Sequence, residues 1–370
     1  MKKAVLVIPT YNEIKNIDNL FAHIASVAKK VKGWNIEVLI VDSASPDGTS
    51  ALVQKNKKKY PFVHLLTTQK RGLGRAYSEG FDYAIRNLDP YVLFEMDADL
   101  SHDPLKIPEF LAQIEKGSDF VVGSRYMRGG SIPADWGFHR KIFSVLGNLI
   151  IRFGFMRLSI NDWTSGYRAI KVWIIQDARE EIKKYSGYVF QVALLDAAVK
   201  KNARITTVPI NFIDRKHGIS KINSLQYTVN TLLYVFTHSS FIAFVMVGGC
   251  GFLIDSTLLY TLYHYGHYSI KFSKIISSEV AILSNFTLNN FWSFSHKKLD
   301  HKFATYAKQF AKFNLIALPS IAIQTIGIVL LTTFFGKHFF YPLFYNMIVI
   351  IFLVIPYSYI LYNKVIWRNK

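Results

Sequence analysis

The chain has 370 residues, 51% of them hydrophobic, and a formal net charge of +19, values that suit two domains and lie between globular and membrane composition. Its one cysteine, Cys250, excludes an internal disulfide and a thiolate metal site within one chain, so a metal must be held by oxygen or nitrogen. The positive excess invites nucleic acid, but no nucleic-acid-binding module is visible, and anionic lipid, lipid phosphate and nucleotide phosphate use the same charges.

In chain order, Met1-Lys2-Lys3 precedes an apolar stretch ending at Pro9, too short for the core of a signal peptide, which predicts a cytosolic N-terminal half. Residues 4–8, rich in Val and Ile, suit a buried parallel strand. Ile14, Ile17, Leu20, Phe21, Ile24, Val27, Ala28 and Val31 recur at three- and four-residue steps and predict a helix. A strand over 36–41, a turn through Pro46-Asp47-Gly48, a helix from Thr49, a strand over 63–66, a helix after Gly74 and a strand over 91–96 continue a doubly wound α/β plan. In such sheets ligands bind at the carboxyl ends of strands, so the segments after Ile8, Val41 and Met96 should converge on one crevice. Asp103-Pro104 predicts an N-cap with proline at the first helical position and a helix through Glu115. A strand over 119–124, an amphipathic helix over 141–153 and a strand over 205–212 complete the domain, residues 1–221.

Residues 222–239 predict an interfacial helix, with Ile222, Leu225, Tyr227, Leu232, Leu233 and Phe236 touching lipid or the α/β domain. From residue 241 acidic residues nearly vanish, and four apolar segments, 241–263, 272–294, 310–335 and 343–362, each approach the roughly 20 residues of a membrane helix. The 240–370 region is therefore expected to be an all-α, four-helix transmembrane domain. Lys297, Lys298, Lys302 and Lys308 in one connector and Lys364, Arg368 and Lys370 in the tail outnumber Lys271 and Lys337 in the other two, which puts both termini on the cytoplasmic side. Asp255, Glu279, Asn285, Asn289 and Asn290 fall within spans, where helix packing is the favoured role. Gly248, Gly249 and Gly251 are expected at close helix contacts.

Asp97-Ala98-Asp99 follows a strand, where two carboxylates either lie solvated in a turn or share one hard cation. A nucleotide diphosphate is a poor leaving group until a cation such as Mg2+ or Mn2+ neutralises it, which favours the second reading wherever the context is a nucleotide site. Ser101 and His102 either complete that shell or cap the helix beginning near Pro104.

Pro9-Thr10-Tyr11-Asn12-Glu13, the run from Asp42-Ser43 through Asp47-Gly48-Thr49, and the Asp pair, each after a successive strand, resemble the family 2 glycosyltransferases. The resemblance implies a GT-A, Rossmann-like nucleotide-sugar domain whose first two loops hold the nucleoside, with Tyr11 stacking near the base. Lys70-Arg71-Gly72-Leu73-Gly74, Gly123-Ser124-Arg125-Tyr126, Asp162-Trp163-Thr164-Ser165-Gly166-Tyr167-Arg168, Gly187-Tyr188-Val189-Phe190-Gln191, Asp214-Arg215 and Ser220-Lys221 look like dolichol-phosphate mannose synthases. One position departs from that family: Asp42-Ser43 stands where two acidic residues are common. Phe244-Val245-Met246-Val247-Gly248-Gly249 and Asn289-Asn290-Phe291-Trp292-Ser293-Phe294 resemble the GtrA-like membrane family.

The resemblance implies nucleotide-sugar contacts from Pro9, Tyr11, Glu13, Val41, Asp42, Ser43, Asp47, Lys70, Gly74, Asp97, Ala98, Asp99 and Arg125, with metal on Asp97, Asp99 and Ser101. Independently, the chain lacks the Gln-x-x-Arg-Trp motif of synthases that use a sugar hydroxyl. A lipid phosphate is already an anion, so it needs no base, only cations to position it. Arg125, Arg140 and Arg215 are candidates for that clamp, and the family adds Ser144 and Lys221. Asp99, Arg125 and Arg215 are the expected catalytic residues. The expected reaction is transfer of mannose from GDP-mannose to dolichyl or polyprenyl phosphate at the membrane; UDP-glucose as donor, or translocation of a lipid-linked sugar, are the alternatives.

Overall fold

Strand β1 (Lys2–Thr10) is buried without exposure from residue 4 to residue 8, as an uninterrupted apolar run in a sheet covered on both faces must be. The computed structural model describes residues 1–214, 224–299, 302–336 and 343–368, in two compact units, Met1–Val235 and Phe236–Lys370.

In the first unit, α1 (Ile14–Ala28) buries Ile17, Leu20, Phe21, Ile24 and Val27. It leads to β2 (Trp34–Asp42), α2 (Thr49–Asn56), β3 (Val63–Thr67), α3 (Leu73–Asn87) and β4 (Val92–Glu95). β1 lies between β2 and β4, parallel to both, and β3 flanks β2. The chain therefore winds outward through β2 and β3 and returns to β4 on the other side of β1, a topological switch that opens a crevice at the carboxyl ends of β1 and β4. α3 lies close against this centre because Gly80 has no side chain: a Cβ there would stand 2.6 Å from Val7 Cγ1 and 2.7 Å from Val41 Cγ2.

Asp103 caps the next segment as expected, its Oδ1 accepting Leu105 N–H at 2.9 Å, but the first turn, Pro104–Lys106, is a 3-10 helix before α4 (Ile107–Glu115). β5 (Phe120–Ser124) and α5 (Phe138–Gly154) follow. The sheet is not wholly parallel. A strand absent from the sequence reading, β6 (Arg168–Lys171), inserts between β4 and β5 and is antiparallel to both. α6 (Val172–Ile182) and the buried α7 (Val189–Lys200) precede the edge strand β7 (Ile205–Pro209), which gives the order β3-β2-β1-β4-β6-β5-β7. β7 stops short of residue 212; beyond it Asn211 bridges only to Ser131.

α8 (Ser224–His238) buries Tyr234 and Val235, with the Tyr234 hydroxyl donating to Asp196 Oδ2 at 2.9 Å. Leu232, Leu233 and Phe236 stay exposed. Ile222 lies outside the described residues.

In the second unit, α9 (Ser240–His264), α10 (Ile270–Leu288), α11 (Phe303–Phe335) and a last helical stretch formed by α12 (Leu343–Val349), α13 (Ile355–Leu361) and π segments make four helical regions. Among the described residues three are long and apolar enough to cross a membrane, Ser240–His264, Phe303–Phe335 and Phe344–Ile366. α10 is shorter and carries Lys271, Lys274 and Glu279. Lys271 is thus helical rather than in a connector, and Lys337 lies outside the described residues. Asp255 accepts a 2.7 Å bond from Ser277 and pairs with Lys274, while Asn290 accepts from Trp367 Nε1 at 3.0 Å and Leu299 N at 2.9 Å. These polar residues do join helices to one another. Of the three glycines only Gly251 is a close contact, against Asn285; a side chain at Gly248 or Gly249 would meet nothing.

Candidate active site

The loops after β1 and β2 are knitted by hydrogen bonds that require their residue types. Asp42, fully buried, accepts from Thr10 Oγ1 at 2.8 Å, Ser45 N at 3.0 Å, Ser45 Oγ at 2.5 Å and Ser50 Oγ at 2.6 Å. Asp47 accepts from Thr49 N and Oγ1 at 3.0 and 2.6 Å and from Ile14 N at 3.1 Å. Partial burial opposes the Asp47 charge, but the Thr49 and Ile14 bonds hold its carboxyl below the usual range. Thr49 Oγ1 accepts Glu13 N–H at 3.1 Å, and Ser45 Oγ accepts Asn12 N–H at 3.0 Å. Asp42 and Asp47 therefore act first as scaffolds for these loops. Ser43 is buried and donates its N–H to Thr10 O at 3.0 Å, while Pro9 and Val41 face each other in the ladder. Lys70 Nζ lies 3.8 Å from the centroid of the Tyr11 ring, so a base that stacks on Tyr11 shares that ring with a cation. Gly74 is a packing glycine: its N–H donates to Ser186 O at 2.9 Å, and a Cβ would fall 2.4 Å from Tyr185 O.

Asn12, Ala44 and Leu100 adopt left-handed φ values of 60°, 52° and 64°, one in each loop at the carboxyl ends of β1, β2 and β4. Such non-glycine conformations cost of order 1–3 kcal/mol and cluster where loops are held to a functional shape.

After β4, Asp97 is partly exposed and Ala98 and Asp99 are buried. Asp99 Oδ1 accepts Ser101 N–H at 3.0 Å. Ser101 is 4% exposed, and the helix is capped by Asp103, not by Ser101 or His102. His102 Nδ1 accepts Asp97 N–H at 3.0 Å. The Asp97 and Asp99 carboxylates form an all-oxygen donor pair that fits a hard cation. Among the described residues no group of three or more His, Cys, Asp or Glu stands together as a metal cage. Mg2+ and Mn2+ commonly use one or two protein carboxylates and take the remaining ligands from substrate phosphates and water.

Because β6 runs antiparallel, its amino end lies beside the carboxyl end of β4, with Glu95 opposite Arg168. The preceding loop is thereby delivered to the crevice. There fully buried Asp162 accepts from Arg125 Nε at 2.8 Å and Nη2 at 2.9 Å, and Nη2 also donates to Thr164 Oγ1 at 2.7 Å. Burial opposes the Arg125 charge, but Asp162 raises its pKa above the usual arginine value. Arg125 is a permanently charged, fixed group whose Nη1 edge is the one not engaged by Asp162 or Thr164. Tyr126 joins Ser144 on α5 through their hydroxyls. Arg140 pairs with Asp214 at 3.1 Å and stacks 3.8 Å over Trp136. Arg215 and Lys221 lie outside the described residues.

Phe212 ties these groups together. Its ring lies 6.0 Å from His102 in the Asp97–Asp99 loop, 5.8 Å from the Arg125 guanidinium and 6.0 Å from Trp136. Sequence reading placed Phe212 in a strand and assigned it no role, because an aromatic at a strand end carries no distinguishing signal. It likewise missed Asp162 as the partner of Arg125, although the two motifs were in view.

One helix beside this cluster is unusual. α5 exposes Phe138, Phe143, Leu146, Ile150 and Phe153 and has no acidic residue, while His139, Arg140, Lys141 and Arg152 supply basic side chains.

Both units of the chain match known protein families. The glycosyl transferase family 2 profile matches residues 5–176, and the GtrA/DPMS transmembrane domain matches residues 243–367. The chain is 29% identical to a dolichol-phosphate mannosyltransferase of Pyrococcus furiosus over 99% of this chain and all of that protein. It is 35% identical to a polyprenol monophosphomannose synthase of Mycolicibacterium smegmatis, covering 60% of this chain and 82% of the relative. It is 36% identical to an undecaprenyl-phosphate mannosyltransferase of Micrococcus luteus, covering 60% and 88%.

Proposed function

Because the chain belongs to the dolichol-phosphate mannose synthase group of glycosyl transferase family 2 and carries a GtrA/DPMS transmembrane domain, we propose that it transfers mannose from GDP-mannose to dolichyl or another polyprenyl phosphate. The observation that carries this reading is the meeting, across Phe212, of a carboxylate pair suited to a hard cation with arginines suited to a phosphate. The division of labour extends the sequence reading: a catalytic domain over 1–221, a linker at the membrane surface over 222–239, and a membrane domain over 240–370. Lys297, Lys298 and Lys302, between α10 and α11, favour a cytosolic catalytic side by the positive-inside tendency.

The donor's nucleoside rests in the loops built on Asp42 and Asp47, with Tyr11 and Lys70 at the base and sugar side. Asp97 and Asp99 would hold a divalent cation, which would supply charge neutralisation to the departing diphosphate. Arg125 and Arg140, with Arg215, orient the lipid phosphate through guanidinium hydrogen bonds. The acceptor is an anion at neutral pH, so no side chain has to remove a proton from it. One phosphate oxygen attacks the anomeric carbon while the bond from that carbon to the nucleotide's β-phosphate oxygen breaks, and the electron pair leaves with GDP. A single displacement inverts the carbon and yields a β-linked lipid phosphate sugar. α5, apolar and basic, suits delivery of the acceptor from anionic lipid.

The test incubates purified full-length protein with a polyprenyl phosphate and labelled GDP-mannose or UDP-glucose, with and without Mn2+. Transfer from GDP-mannose that needs the cation and vanishes in Asp99→Ala is expected. Selective transfer from UDP-glucose refutes the mannose assignment, and transfer unaffected by Asp99→Ala removes the proposed mechanism.

A further inference from the structure

The carboxylate loop after β4 closes around a ring. His102 is 3% exposed and lies between the Tyr167 ring, stacked at 5.0 Å and 17°, and the edge of Phe212 at 6.0 Å. Its Nδ1 stands 3.0 Å from Asp97 N. A backbone N–H can only donate, so Nδ1 must accept, and the ring proton of the neutral imidazole must sit on Nε2. The ring therefore grips the peptide of one carboxylate residue while Asp99 grips the next turn through Ser101 N–H at 3.0 Å. Leu100, between them, holds φ at +64°, a conformation that such anchoring on both sides sustains. Tyr167 in turn fixes the start of the following helix, its hydroxyl donating to Asp103 O at 3.0 Å.

We infer that His102 is the positioning residue of this loop: as the Nε2–H tautomer it holds the Asp97 peptide through Nδ1 and so aims the Asp97 and Asp99 carboxylates at a common divalent cation. The inference rests on the metal reading above and assigns His102 neither ligation nor proton transfer.

Three substitutions in the full-length protein separate its parts. His102→Phe keeps an aromatic plane on Tyr167 but has no acceptor; His102→Asn places an acceptor oxygen near the position of Nδ1; Asp99→Asn removes a carboxylate. Mn2+ binding in the presence of GDP is read from the electron paramagnetic resonance signal of the free ion. His102→Phe is expected to weaken Mn2+ about 10- to 100-fold, the range for residues that orient ligands from behind, with recovery in His102→Asn. If His102→Phe binds Mn2+ like the parent while Asp99→Asn loses it, the positioning role falls and the metal reading stands. If Asp99→Asn also binds like the parent, the metal reading falls and takes the inference with it. Should His102→Phe not fold, 15N resonances of the unmodified imidazole still decide: a proton on Nε2 alone supports the assignment, and a proton on Nδ1 overturns it.

Discussion

Asp42 gives both carboxylate oxygens to four donors from Thr10, Ser45 and Ser50, and the buried Thr10 hydroxyl is stranded if the carboxylate goes. An orphaned buried polar group costs about 1–3 kcal/mol. Asp42→Ala should therefore lower the melting temperature and weaken nucleotide binding together, as checked by thermal unfolding with and without GDP. Weakened binding at unchanged stability would instead make Asp42 a direct ligand. Much at this scale is legible without a structure. The Asp pair and the Arg125 and Arg140 motifs are picked out by the family resemblance, since an Asp pair or an arginine alone is as readily a solvated surface group. The partners of these groups are not legible: Asp162 lies 37 residues from Arg125 and Phe212 far from both, and only chain reversal through β6 brings them together.

At the scale of elements, β6 is the strand that sequence reasoning lacked. Four residues long, it opens on Arg168, and a charged residue buried in mid-sheet contradicts the alternation by which a strand is recognised. Arg168 and Glu95 are both fully buried and 3.6 Å apart. Burial pushes the Glu95 carboxyl up to about 7 from its ordinary 4.5, against the pull of Arg168. A carboxyl raised on folding favours the folded state most below its unfolded value, and that advantage is lost as pH rises through the folded value. The melting temperature of the parent, measured against the double variant Glu95→Leu with Arg168→Met, should accordingly fall as pH rises from 4.5 through 7. A constant difference would contradict this. Arg168→Met alone should be the costly change well above pH 7, about 3–5 kcal/mol, where ionised Glu95 would be a buried unpaired charge. The docking of α3 offers a second check. Gly74→Ala drives a Cβ to 2.4 Å from Tyr185 O and should cost about 1–3 kcal/mol by overpacking, visible as an earlier urea midpoint; an unchanged midpoint would mean the 185–187 turn yields freely.

For the whole molecule, an α/β unit with its own sheet-centred core shares one chain with a unit of exposed apolar helices, and the proposed division of labour makes chemistry and membrane anchorage separable. A fragment of residues 1–238 in detergent should transfer sugar to a short-chain polyprenyl phosphate; a well-folded fragment with no activity would give the membrane helices a part in catalysis. The domain change is legible from composition because bilayer and water select different residues. The second span is harder to read, because α10 and the π-helical turn after it run from Ile270 to Ser293 but carry Lys271, Lys274 and Glu279 within the apolar stretch. A cation shared by Asp97, Asp99 and the nucleotide's phosphates is central to the proposed chemistry. Mn2+ bound to the full-length protein with GDP labelled by 17O in its phosphates tests this directly by electron paramagnetic resonance. Line broadening from 17O in the parent, lost in Asp99→Asn, is the predicted result, and a bound Mn2+ whose lines do not respond to the label would contradict it.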